Sequence, residues 1–122
     1  MADGPGFTAL VVEDEPLIAL DTEDMLRGFG ATEVVIADDF AGAEARLTGC
    51  RYGVVVFDLD LGGHSTAPLV RACVERGCKA VVISGADSVP DVVDEAVPVL
   101  SKPVSRTDLR AALDEAGLRI GA

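Results

Sequence analysis

A chain of 122 residues, almost half of them apolar, can bury one core but not two, so a single globular domain over 1–122 is expected rather than a disordered segment. Its 21 acidic residues against 10 basic ones give a net charge of −11, a field that repels nucleic-acid phosphates and anionic membrane surfaces and favours cations and basic partners. Cys50, Cys73 and Cys78 fit neither a CxxC pair nor a zinc spacing, and no leader or membrane-length apolar run is present, so reduced thiols and a cytoplasmic location are expected.

In chain order, "TALVV" (8–12) reads as a first strand, too short for a helix and apolar on both faces. A helix is expected over 16–28: Pro16 suits its first turn, and Ile18, Thr22, Met25, Leu26 and then Phe29 form one stripe. Asp21, Glu23 and Asp24 face outward, and Gly28 and Gly30 suit the exit. A second strand, "EVVIA" (33–37), and an amphipathic helix over 39–48 follow. The third strand, "YGVVVF" (52–57), runs into Asp58 and then Asp60, Gly62 and Gly63. A helix over 66–76 leads to the fourth strand, "KAVVIS" (79–84). The segment 86–97 contains Pro90 and several acids, which leave room only for a short helix. The fifth strand is "PVLS" (98–101), and "SRTD" (105–108) opens a last helix over 105–116 with a Ser-x-x-acid capping pattern.

Strands alternating with helices imply an α/β fold, a doubly wound parallel sheet. Five strands joined by right-handed crossovers fit the flavodoxin-like order 2-1-3-4-5, which places a site beyond the carboxyl ends of the strands. Strand one ends in Glu13-Asp14-Glu15, strand three in Asp58, strand four in Ser84 and strand five in Ser101-Lys102-Pro103. Glu13, Asp14 and Asp58 would repel one another without a cation, and Mg²⁺ suits them because it accepts one or two carboxylates and fills its octahedron with water and phosphate oxygens. A carboxylate there is placed to attack a phosphoryl group. Lys102 would neutralise charge on that group, and Ser84 would hydrogen-bond one of its oxygens.

These residues, in "VVEDEP", "VVVFDLDLGG", "VVISGA" and "SKP", resemble the motif set of response-regulator receiver domains of two-component signalling, from about Thr8 to Ala116. The resemblance implies a stand-alone receiver: Asp58 as phosphoacceptor, Glu13 and Asp14 holding Mg²⁺ with Asp58 and the backbone carbonyl of Asp60, Lys102 binding the phosphoryl, and Ser84 sensing it. It also implies a cis Lys102–Pro103 peptide and a sensor histidine kinase or histidine phosphotransfer protein as donor. Output would pass to a protein target, with neither nucleic acid nor membrane as partner. The chain would not be an enzyme in the ordinary sense, although it would help to catalyse its own phosphorylation.

Two positions depart from the family's habit. Val99 stands where many receivers carry a switching aromatic, and Gly62-Gly63 replaces a common proline, which should make that loop more mobile. His64 is expected to be an exposed loop residue and the Asp60 side chain to face solvent. Two rival readings remain. "FDLDLGG" also resembles the Asp-x-Asp opening of haloacid-dehalogenase-like phosphohydrolases, with Asp58 as nucleophile and Asp60 as general acid–base, although the motif then sits on the wrong strand and lacks Thr or Val at position 62. A receiver fold that serves as a non-switching interaction module is the other.

Overall fold

The computed structural model describes residues 6–49, 51–85 and 97–118. Among the described residues, seven strands and four helices follow in order: β1 (Phe7–Val12), α1 (Pro16–Gly28), β2 (Ala31–Ala37), α2 (Phe40–Gly49), β3 (Val54–Asp58), β4 (Asp60–Leu61), β5 (His64–Ser65), α3 (Ala67–Glu75), β6 (Ala80–Ser84), β7 (Val99–Ser101) and α4 (Arg106–Glu115). The main sheet is wholly parallel with the order β2-β1-β3-β6-β7. Counted over its five long strands, this is the expected flavodoxin-like 2-1-3-4-5 order, in an α/β fold. The short segment expected over 86–97 lies outside the described residues except for Val97, which is buried.

The apolar runs do not alternate in polarity because both faces of the sheet are covered. Successive side chains point to opposite sides of a strand. On one side Leu10, Val12, Val55, Phe57 and Val82 meet Ala43 of α2 and Leu69, Val70 and Cys73 of α3. On the other, Ala9, Val11, Val54, Val56 and Val81 meet Met25 and Leu26 of α1 and Leu109 and Leu113 of α4. The edge strands are less apolar: Glu33 of β2 is exposed, and so is Val99 of β7.

Helix boundaries follow the local chemistry. Pro16 occupies the first turn of α1, where its missing N–H costs nothing. Ser105 caps α4 as expected, its hydroxyl accepting from the Asp108 N–H at 3.1 Å.

The stretch after β3 differs from the loop expected there. Asp60 pairs with Ser65 and Leu61 with His64 in an antiparallel hairpin. Gly62 and Gly63 form its turn with φ of 59° and 89°, the two positive values that a two-residue hairpin turn of type I′ demands. The glycines close a defined turn. His64, expected in a loop, is exposed but sits on β5.

Candidate functional site

The site lies at the carboxyl edge of the sheet, where β1, β3, β6 and β7 end side by side. Glu13 continues the β1 ladder by one step, its N–H donating to the Ala37 carbonyl at 3.0 Å, and this draws its side chain inward to 4 % exposure. Asp14, the next residue, is exposed. Asp58 ends β3 with only 5 % exposure. Glu13, Asp14 and Asp58 each offer a carboxylate oxygen within 4.8 Å of the other two.

Lys102 closes the cluster. Its Nζ lies 3.1 Å from Asp58 Oδ2 and 3.6 Å from Glu13 Oε1. The other Asp58 oxygen, Oδ1, accepts the Asp60 N–H at 3.1 Å, and Glu13 Oε2 accepts the Glu15 N–H at 3.1 Å. Lys102 is brought there by the β6–β7 pairing, which its N–H extends to the Ser84 carbonyl at 3.0 Å. The Lys102–Pro103 peptide is cis, as the resemblance implies. Ser84 is buried at the end of β6 opposite Ser101, and the Asp60 side chain is exposed. The six residues singled out in the sequence thus share one edge of the sheet, with Glu13, Asp14, Asp58 and Lys102 in one cluster.

The charges do not balance. Burial pushes the Glu13 carboxyl up to about 7. The Glu15 N–H opposes this, the nearby Asp58 charge adds to it, and Lys102 again opposes it. Burial alone would lower the Lys102 pKa, but the hydrogen bond and charge of Asp58, with Glu13 beside it, hold it above its ordinary value. Three carboxylates face one ammonium. An all-oxygen donor set with surplus negative charge fits a hard divalent cation such as Mg²⁺.

Sequence reasoning missed Thr66. Its side chain is fully buried, and its hydroxyl donates to the Asp58 carbonyl at 2.8 Å. The one sequence signal, a threonine just before Ala67-Pro68, reads as a helix cap, yet its side chain makes no cap bond. Beside the site, an apolar groove of about 290 Å³ is lined by Ile18, Met25, Ile83, Lys102, Pro103 and Val104, among others. Leu17 and Leu20 of α1 stand exposed at 77 % and 57 %. Among the described residues no helix is long and apolar enough to cross a membrane.

No family model matches the chain, and no curated protein does. Solved structures do. The chain is similar to SdrG from Sphingomonas melonis Fr1, with 34 % identity over 89 % of this chain and 94 % of that one and a TM-score of 0.76. It is similar at 34 % identity to the BeF3-activated conformation of SdrG from Pseudomonas melonis Fr1, over 92 % and 96 % of the two chains with a TM-score of 0.71. A CheY-like response regulator receiver domain from Methylobacillus flagellatus shares the fold at 24 % identity, 89 % and 97 % coverage and a TM-score of 0.73. The PhyR stress response regulator also shares it, at 24 % identity and a TM-score of 0.70; 92 % of this chain is covered, and it spans 45 % of PhyR's length. With this fold, and with identity of that level along nearly the whole of both chains, the chain belongs to the family of CheY-like response-regulator receiver domains.

Proposed function

We propose that the chain is a cytoplasmic phosphoacceptor: it takes a phosphoryl group on Asp58 from a sensor histidine kinase or histidine phosphotransfer protein and signals through contacts with another protein. The observation that carries this reading is the setting of Asp58. It is buried, one oxygen is held by the Asp60 N–H, the other lies on Lys102, and two further carboxylates stand within reach.

In the transfer, a carboxylate oxygen of Asp58 attacks the phosphorus of a phosphohistidine. The P–N bond breaks, its electron pair leaves with the imidazole, and an acyl phosphate remains on Asp58. Lys102 then hydrogen-bonds a phosphoryl oxygen, stabilising charge that develops there. Glu13, Asp14, Asp58 and the Asp60 carbonyl would hold Mg²⁺, which when bound would supply further positive charge to the transferring phosphoryl group. The Ser84 hydroxyl would bond another of its oxygens. Because the Ser84 carbonyl accepts the Lys102 N–H, a shift of Ser84 would pass straight to β7. Leu17 and Leu20, exposed on α1, and the groove that Lys102 helps to line would offer the donor protein apolar surface.

Phosphoramidate, a small donor with a P–N bond, tests the reading. With Mg²⁺ present, phosphoryl uptake is expected to stop at one equivalent per chain and to vanish in Asp58→Asn. Sustained release of phosphate over many turnovers would instead support the phosphohydrolase. Equal uptake by Asp58→Asn would remove Asp58 from its role.

A further inference from the structure

We propose that Thr66 is a positioning residue for the chemistry of Asp58, the pin of a clasp formed by the β4–β5 hairpin at the end of β3; the proposal rests on the phosphoacceptor reading and adds a residue to that site.

Thr66 immediately precedes α3, where a threonine hydroxyl ordinarily accepts an N–H from the first helical turn. Here the hydroxyl turns the other way. It donates to the Asp58 carbonyl at 2.8 Å and lies 3.3 Å from the Leu59 carbonyl. The Thr66 N–H donates to that Leu59 carbonyl at 2.8 Å. Ser65 supplies the cap instead, its hydroxyl accepting the Ala67 N–H at 3.2 Å.

The two peptide units between Asp58 and Asp60 are therefore held at both ends. In the first, Thr66 holds the Asp58 carbonyl while the Leu59 N–H donates to Ile83 at 2.8 Å. In the second, Thr66 holds the Leu59 carbonyl while the Asp60 N–H donates to the Asp58 carboxylate at 3.1 Å. Thr66 supplies the donor for both carbonyls. The Asp60 N–H that holds the carboxylate belongs to the peptide whose carbonyl the Thr66 N–H grips, and the Thr66 hydroxyl fixes the peptide before it, the one that carries Asp58's own carbonyl. The hairpin reaches the acidic cluster as well: a Cβ built on Gly62 would lie 3.7 Å from Asp14 Oδ2, so the turn stands against that carboxylate. In-line attack on phosphorus tolerates little misalignment. A fully buried residue that fixes both peptides beside the nucleophile sets its aim without touching the substrate.

The test compares Thr66→Val, which keeps the shape and removes the hydroxyl, with Thr66→Ser, which keeps the hydroxyl. Acetyl phosphate is the donor, at saturating Mg²⁺, on the full chain with folding checked by circular dichroism. Folded Thr66→Val is expected to accumulate adduct at least about tenfold more slowly than wild type, and Thr66→Ser to recover most of the rate. A purely structural role would lower stability without slowing the folded protein, so a wild-type rate in Thr66→Val overturns the proposal, as does a serine variant as slow as the valine. A second readout covers a valine variant that fails to fold, or a wild type that takes no phosphoryl group at all, an outcome that would sink the phosphoacceptor reading. Amide exchange of Asp60 in wild type should then be slowed at least about tenfold relative to an unstructured peptide. Exchange at the unstructured rate would overturn the clasp.

Discussion

At Glu13 two requirements oppose each other. The side chain must be buried to approach Asp58, yet burial pushes its carboxyl up to about 7. Under the proposed function Glu13 would be a metal ligand, which must be deprotonated, so protonation and Mg²⁺ would compete for it. Calorimetric titration is expected to give weaker Mg²⁺ binding at pH 6 than at pH 8; equal affinities would remove Glu13 from the ligand set. Lys102 is the counterpart, held charged by Asp58 and Glu13. Lys102→Ala should slow phosphoryl uptake on the order of a hundredfold, the usual scale for losing one charge-stabilising donor, and should impair uptake more than the fold. Uptake at the wild-type rate, read by intact mass over time, would contradict its role. Glu13, Asp14, Asp58 and Lys102 were legible because carboxylates and a lysine directly after apolar strands are costly unless used. Thr66 was not legible. Its position speaks for a helix cap, and only the three-dimensional path of the hairpin turns its hydroxyl toward Asp58.

Among the elements, the long strands and the four helices of the described residues could be read from apolar runs and from the Pro16 and Ser105 signals, with ends displaced by at most two residues. The β4–β5 hairpin could not. Each of its strands has two residues, too few for an alternating pattern, and of the four only Leu61 is buried. The turn itself makes a clean test, because Gly63 has φ of 89° and open space where a Cβ would go. Gly63→Ala should therefore cost about 1–2 kcal/mol from backbone conformation alone. A urea midpoint equal to wild type would mean that the turn is not held in this geometry. α1 carries a different prediction. Leu17→Asp should slow transfer from a phosphohistidine protein while leaving uptake from acetyl phosphate intact, since only the former needs a docking surface. Equal slowing with both donors would place the effect inside the site. Val99 lies exposed on the edge strand β7 without an aromatic ring to rotate, so under the proposed function a signal carried by the Ser84–Lys102 backbone link would have to move β7 itself.

For the whole molecule, the excess of acid over base and the buried acidic cluster act in the same direction. Folded Glu13 keeps its proton up to about 7, whereas unfolded Glu13 loses it near its ordinary 4.5. Between those values the folded chain binds more protons, so stability falls as pH rises through that window, and the loss is complete above about 7. With chelator present, the urea midpoint should be lower at pH 8 than at pH 5. Glu13→Gln should narrow the difference, and Mg²⁺ should raise the midpoint more at pH 8. A midpoint independent of pH in this range, or unmoved by Mg²⁺, would contradict the electrostatics described for the cluster. The parallel five-stranded sheet was legible as a whole because its strands are buried on both faces, which makes each a continuous apolar run. The central claim is that this sheet assembles a phosphoacceptor at Asp58. Intact mass after incubation with acetyl phosphate, for wild type and Asp58→Asn with and without Mg²⁺, tests it most directly. One added phosphoryl group on wild type with Mg²⁺ alone is the expected result. An adduct of the same size on Asp58→Asn, or none on wild type with any donor, would contradict it.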